Sequence, residues 1–416
     1  MHKNSKLCFE IHGANGHNCG AEMMAIAIAE QLRSRYPDVV ICVPPDYGDS
    51  TERSKHGFYL VPELTSWTQR KILSACDRWT PPMVVRVVRQ VDFAFQRLVA
   101  WFKDRGTGKT VSPLDVDCVI DASGFAFSDQ WGRHKAQNLL EKMTYRRGRI
   151  PLILLPQAMG PFELGHVAKA CKSLLTRADL VFVRDRFSLE KVEALTRGTV
   201  NSQLFPDFTI SLVPKRADAQ RVTRPYAVVV PNYRMIDKGG EASAYLKFLE
   251  RALRLIESIG LAPMLLLHES REDWRLVERL VERGVSPQVL RDPDPLALKR
   301  YLGDAEFVIG SRFHALVSAL SQGVPTIGAG WSHKYQELSA DFCVPEFVIT
   351  DIRNSQQLDD LVKRVSSAEQ RRQLSEVISK AAASKKSQIG MMWKQVFELI
   401  DQRLGKCEVP RRSKRS

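Results

Sequence analysis

The chain has 416 residues and a mass of 47.1 kDa, with 44% hydrophobic and 26% charged residues. This is a globular composition long enough for two or three domains, and it excludes a wholly disordered or collagen-like chain. Lys and Arg total 61 against 47 Asp and Glu, a formal charge of +14, so the balance favours an anionic partner: phosphate, nucleic acid or an acidic membrane face.

No apolar run approaches the ~20 residues of a membrane-spanning helix, and the first ten residues hold no apolar signal core. No spanning or secretory segment is therefore expected. The eight Cys lack any C-x-x-C spacing, and Cys8, Cys42 and Cys118 fall in apolar runs. This pattern predicts reduced, buried thiols in a cytoplasmic protein, not a disulfide framework or a zinc site.

In chain order, Leu7–His12 reads as a strand, Gly20–Arg35 as a helix and Val39–Val43 as a strand. Asp117–Ala122, Leu152–Leu155 and Leu180–Arg184 read as further strands separated by helical patterns. The basic, polar stretch Val213–Pro225 reads as a linker. The rhythm then restarts with strands at Tyr226–Val230, Met264–His268, Glu306–Ile309 and Pro325–Gly328. Such alternation predicts parallel sheets flanked by helices, hence an α/β fold. The expected domains are 1–213, with an insert at about 45–110, and 224–380. A helical segment at 381–409 and a disordered basic tail at 410–416 follow. Within the insert, Met83–Phe102 has apolar residues at helical spacing with Arg86, Arg89 and Arg97 among them. A core-packed surface helix is the simpler reading, and a basic helix on a membrane face the sharper one.

Several strand ends carry chemistry. The first loop, His12 to Gly20, is rich in Gly and Asn but lacks the G-x-G-x-x-G spacing of a dinucleotide site. Gly106–Thr110 resembles the end of a P-loop, but Lys103 stands where its first glycine belongs. Pro156–Phe162 closes a strand at the sheet edge where doubly wound folds bind ligands, and Gln157 there offers a donor and an acceptor. Arg184 ends an apolar run and can clamp a carboxylate or phosphate. In the segment Phe307–Ala315 a strand ends at Gly310, Ser311 is the expected helix cap, and Arg312 and His314 enter the first helical turn. Arg supplies fixed positive charge and His a proton exchangeable near neutral pH, at a helix end that itself favours anions. His268 and Lys334 occupy comparable positions. No H-E-x-x-H, EF-hand or G-x-S-x-G motif occurs, so neither a metal nor a serine nucleophile is expected.

Taken together these segments resemble the polysaccharide pyruvyl transferase family. The first loop (Gly13, Asn15, Gly16, Asn18, Gly20), PQAMGPF at 156–162, Arg184, Pro206-Asp207, His268 with Asp273, SRFHAL at 311–316, the Gly323-Val324-Pro325 stretch and Lys334 match its motifs in order. The match runs over about residues 7 to 342. Departures are Ala21-Glu22 where many relatives carry Gly-Asp, a reduced glycine cluster at Ala122-Ser123-Gly124, and Phe313 in place of the usual Leu.

The resemblance implies a GT-B-like fold, two Rossmann-like parallel-sheet domains facing across a cleft. It implies transfer of pyruvate from phosphoenolpyruvate to two sugar hydroxyls as a ketal, without a cofactor. On that basis His314, Arg312 and Arg184 are the expected catalytic residues. Arg312, Phe313, Arg184, His268 and Lys334 are expected at the donor. Asn15, Gly16, Asn18, Glu22 and Gln157 are expected at the acceptor, a glycan or lipid-linked glycan. The cluster Arg411, Arg412, Lys414 and Arg415 fits peripheral association with the inner membrane face. The alternatives are a nucleotide-sugar glycosyltransferase on the same scaffold and a non-catalytic glycan- or membrane-binding relative. Nucleic acid is disfavoured, because the basic residues are dispersed and no nucleic-acid module occurs.

Overall fold

The computed structural model describes residues 6–62, 109–144, 146, 148–214, 222, 224–237, 242–268, 270–330 and 333–405. The helix expected at Met83–Phe102, the glycines of the Gly106–Thr110 turn, most of the linker and the basic tail lie outside them.

The chain divides into two compact units: 1–16, 28–204 and 390–416 form one, and 17–27 with 205–389 the other. The sequence boundary at 213–224 falls later, because Phe205 to Leu212 are mostly buried within the second unit.

In the first unit β1 (Cys8–His12), β2 (Val40–Val43), β3 (Tyr59–Leu60), β4 (Cys118–Asp121), β5 (Leu152–Gln157), β6 (Leu180–Val183) and β7 (Ser202–Leu204) form a sheet ordered β3-β2-β1-β4-β5-β6-β7. All its pairings are parallel. The order reverses between β1 and β4, a topological switch point of the kind that binds ligands at its carboxyl edge. The central strands are wholly buried, as parallel strands covered on both faces must be. Helices α1 (Cys19–Arg35), α2 (Ser50–Lys55), α3 (His134–Thr144), α4 (Gly165–Arg177) and α5 (Arg186–Thr196) accompany them. Leu139, Met143, Val167, Cys171, Leu174 and Val192 carry the helices onto one core with the strand residues Val119, Leu152 and Val181.

The second unit repeats the plan with six strands. They are β8 (Tyr226–Val230), β9 (Ala262–Leu266), β10 (Gln288–Leu290), β11 (Val308–Gly310), β12 (Thr326–Ala329) and β13 (Val348–Ile349), ordered β10-β9-β8-β11-β12-β13 and again parallel. Its helices are α6 (Arg234–Asp237), α7 (Ala242–Ser258), α8 (Ser270–Glu282), α9 (Pro295–Gly303), α10 (Phe313–Leu320), α11 (His333–Asp341), α12 (Ser355–Lys363) and α13 (Ala368–Leu404). The α13 helix is continuous through residue 380, and the division between the units falls within it, at Ile389 and Gly390.

Among the described residues six cysteines are free thiols, five of them buried. Burial pushes the thiol pKa values of Cys42 and Cys118 well up, which makes them poor nucleophiles. No helix among the described residues is long and apolar enough to cross a membrane.

Candidate active site

The second unit gathers its charged groups where β11 gives way to α10. The backbone is fixed first. The Ser311 carbonyl accepts hydrogen bonds from Asn232 Nδ2 and from the Tyr335 hydroxyl, both at 2.8 Å. Burial pushes the Tyr335 hydroxyl up to about 12, so it remains a donor. Ser311 is not the helix cap that the sequence suggested. Arg312 occupies that position with extended dihedrals and no side-chain capping bond, because the Ser311 carbonyl is already committed to the β8 and α11 side.

Arg312 instead turns its guanidinium onto Asp273 of α8. Nε donates to Oδ2 at 3.1 Å and Nη2 to Oδ1 at 2.5 Å, a two-pronged pair with a fully buried carboxylate. Oδ1 of Asp273 also accepts from the Tyr233 amide at 2.9 Å. Asp273 therefore serves Arg312, although the sequence had paired it with His268. It uses two of the five guanidinium donors and orients the others.

His314 is the second residue of α10. Its Nε2 lies 3.6 Å from Asp207 Oδ2. The other oxygen of Asp207 accepts from the Thr209 amide at 3.0 Å and its hydroxyl at 2.6 Å, which locks the carboxylate. The buried Lys299 donates to the Thr209 carbonyl at 2.9 Å and braces the same turn. Phe313 meets the His314 ring edge-on at 5.5 Å, and Lys334 Nζ lies 5.6 Å from the Phe313 centroid. His268 is buried beside Arg312 and His314. Desolvation first, and those two charges second, lower its pKa to about 3, so it is neutral near pH 7.

The opening of α1 belongs to this unit. Asn18 Oδ1 accepts from the Ala21 amide at 3.1 Å and caps the helix. Gly20 packs so closely on His314 that a Cβ there would overlap its ring. A Gly20→Ala protein should keep its fold, since alanine strengthens a helix. If His314 takes part in the reaction, the variant's kcat should nevertheless fall about tenfold to a hundredfold, because a reacting group displaced by ~1 Å loses rate on that scale. Steady-state kinetics beside the melting temperature checks this; a lowered melting point with unchanged kcat contradicts it. Glu22, expected at the acceptor, lies in the same helix and is buried.

The other expected residues lie in the first unit. Gln157 has no exposed surface, and its Nε2 donates to Asp121 Oδ1 at 2.8 Å. It is a support and not a surface contact. Asp121 ends β4 and also accepts from Ser123 Oγ at 2.7 Å. Sequence reasoning passed over Asp121; the signal was an acid closing an otherwise apolar strand. Gly13 approaches Ser123 so closely that a Cβ would overlap the hydroxyl, and its φ of +80° is one that glycine adopts readily. Asn15 and Gly16 are half-buried in the same loop, and the Gly16 amide donates to the Tyr47 carbonyl at 2.6 Å. Arg184 is almost buried, its amide donating to the Gln157 carbonyl at 3.1 Å. Among the described residues no cluster of three or more His, Cys, Asp or Glu could hold a metal ion.

A family model described as polysaccharide pyruvyl transferase matches residues 18–333, which include the site from Asn18 through His314. The chain belongs to the polysaccharide pyruvyl transferase family. Solved structures of similar shape share only the fold at this level of identity. They include the UDP complex of S. aureus MnaA (TM-score 0.56, 10% identity, 96% of this chain and 97% of that one). The UDP-GlcNAc 2-epimerase of Neisseria meningitidis matches with TM-score 0.55 and 9% identity over 96% of this chain and 100% of that one. A glycosyltransferase from Rickettsia africae gives 0.55 and 11% over 97% and 100%. These place the two Rossmann-like units of this pyruvyl transferase family member in the GT-B class. Its place in the family makes it a transferase of polysaccharide pyruvylation in general terms.

Proposed function

We propose that the protein transfers the pyruvyl group of phosphoenolpyruvate onto two hydroxyls of a glycan acceptor, forming a ketal and releasing phosphate. The observation that carries this reading is the Arg312–His314 pair at the start of α10, each backed by a buried carboxylate. Phosphoenolpyruvate bears a phosphate and a carboxylate, and a positive group at a helix N-terminus suits either. Arg312 binds one anionic group, with Lys334 and the neutral His268 as neighbouring donors and Phe313 as an apolar wall. Arg184, in the first unit, is a further candidate for an anion contact.

In the proposed reaction a proton is delivered to the methylene carbon, which leaves C2 electrophilic. One sugar hydroxyl adds to C2 and gives up its proton. The C2–O bond to phosphate breaks, and a second hydroxyl closes the ketal. His314, oriented by Asp207, moves a proton in this sequence, to the methylene carbon or to the departing phosphate. Asn15, Gly16, Asn18, Glu22 and Gln157 are the acceptor-side candidates. The proposed setting is the cytoplasm, with the basic tail drawing the enzyme to anionic lipid where a lipid-linked acceptor resides.

The test incubates the purified protein with phosphoenolpyruvate and a panel of glycans and reads phosphate release with product mass. Acceptor-dependent release with a ketal-sized mass gain is expected. Consumption of a nucleotide sugar instead, with no binding of phosphoenolpyruvate by calorimetry, overturns the reading in favour of glycosyl transfer.

A further inference from the structure

The second unit carries a groove of ≈790 Å³ that none of the donor-side residues lines. It runs along α7, between the end of α8 and the start of α12. Its wall on α7 is one helix face, because Ala244, Lys247, Phe248, Arg251 and Leu255 recur every three or four residues. The floor is apolar: Phe248 and Leu358 are buried there, and Leu255 and Ile352 half-buried. Tyr245, on another face of the same helix, is wholly buried, and its hydroxyl accepts from the Asn232 amide at 2.9 Å. The groove and the Ser311 backbone that Asn232 holds thus use separate faces of α7.

The charges on the walls do not cancel. Lys247, Arg251 and Arg254 stand a turn apart on α7, an arrangement of like charges that weakens a helix on its own. Arg283 joins them from just beyond α8. Two carboxylates answer these four groups. Asp359 takes Arg251 in a two-pronged pair, Nε donating to Oδ1 at 2.6 Å and Nη2 to Oδ2. Glu250 is shared, 2.5 Å from Arg254 Nη2 and 3.1 Å from Arg283 Nη2. Arg353 on the remaining wall is matched by Asp351 at 2.8 Å. Among the described residues Lys247 makes no ion pair. Ser243 and Ser355 line the groove at the opening turns of α7 and α12, where the helix ends also favour an anion.

Each feature constrains the occupant. The excess of two positive charges calls for a dianion, and phosphate monoesters approach that charge near neutral pH. The apolar floor calls for a body that gives up water readily. A space of this size holds a small molecule. A bilayer surface fits poorly, because the apolar side chains form the floor of a concavity and do not protrude. We propose that this groove is a second binding site, for a soluble phosphate monoester with a flat apolar body. Its phosphate sits at Lys247 and Ser355, and its body lies on Phe248 and Leu358. The transferase reading uses none of these residues.

Calorimetry on the full chain with 1-naphthyl phosphate, a dianion on a planar apolar body, tests the proposal. Wild type should bind with a Kd of about 1 mM or tighter. Lys247→Glu should weaken binding at least tenfold, about 1.4 kcal/mol. That variant sets opposite charges four residues apart on α7 and so keeps the helix. Ala244→Trp leaves every charge in place and fills the groove, and should abolish binding. Melting temperatures near that of wild type establish that both variants fold. Arg312→Ala should leave the affinity unchanged. 1-Naphthol and inorganic phosphate, each carrying one half of the probe, should bind at least tenfold more weakly. No binding by wild type, or binding kept by both groove variants, overturns the proposal. So does a loss in Arg312→Ala alone, which puts the probe at the donor site. Vesicles of phosphatidic acid and phosphatidylcholine bound through Lys247, with the naphthyl probe ignored, overturn it in favour of a lipid headgroup. Failure of the phosphoenolpyruvate assay leaves all these outcomes untouched, so the two readings fail separately.

Discussion

Replacing His314 by alanine should lower kcat about a hundredfold to ten-thousandfold, the range that a positioned acid or base contributes. The donor should still bind, because Arg312 is held by Asp273 and not by the histidine. Among the contacts of the imidazole are the Asp207 carboxylate 3.6 Å from Nε2, the Phe313 ring and the Gly20 backbone. Phe313 and Gly20 shape its position, and the carboxylate orients the ring. Asp207→Asn, which keeps the side chain's shape and removes its charge, should therefore depress kcat less than His314→Ala. Stopped-flow phosphate release, with calorimetric donor affinity beside it, reads both effects. Unchanged kcat in His314→Ala removes the histidine from the chemistry. A loss wholly in donor KM makes it a phosphate contact instead.

Much of this site was visible in the sequence because its central residues are neighbours in the chain. Ser311 to Leu316 join a strand end to a helix start, and composition alone marks that junction. The partners were less visible. Asp273 lies 39 residues from Arg312, and only the packing of α8 against the end of β11 joins them. The same holds for Asp207 and His314, and for the Asn232 and Tyr335 groups that fix the Ser311 carbonyl. Pairing across elements is a property of topology, which periodicity does not encode.

The fold shows the same division. Strands that are long and buried on both faces, such as β5 and β8, appear in the sequence as uninterrupted apolar runs. The strands it missed are short or polar: β3 and β13 have two residues each, and β7 and β10 carry exposed positions. Edge strands of this kind are set by their neighbours more than by their own residues. Gln157 shows the opposite case. A polar side chain in a motif segment suggested a ligand contact, and the structure places it within the sheet edge, where it donates to Asp121.

The second large effect concerns a charge cluster that no motif announced. Glu10 of β1 is completely buried, and the Arg146 guanidinium binds it from just beyond α3. Arg146 Nη1 also donates to the Pro113 carbonyl at 2.9 Å. Lys142 Nζ lies 3.8 Å from the same carboxylate and 3.1 Å from His12 Nδ1. Burial alone would raise the Glu10 pKa, yet Arg146, His12 and Lys142 reverse this and hold it well below the usual carboxylate range. The sign follows from linkage. A carboxyl lowered in the folded state adds stability above its unfolded value near 4.5, and that stability is lost as pH falls toward the folded value.

Arg146→Ala leaves the carboxylate buried with weaker partners, and should destabilise the first unit by about 3–5 kcal/mol at pH 7. With the main cation gone, desolvation dominates and Glu10 takes up a proton more readily on folding. The destabilisation should therefore shrink between pH 8 and pH 5, whereas a variant lacking only packing would show no such trend. The double variant Glu10→Gln/Arg146→Met should recover most of the loss, because removing both charges removes the desolvation cost that the pair had offset. Hydrogen exchange of the β1 and β4 amides follows this unit separately from the other. A loss that is independent of pH, or one that the double variant does not relieve, would show that Arg146 acts through its alkyl chain and the Pro113 contact, with Glu10 held by Lys142 and His12 alone.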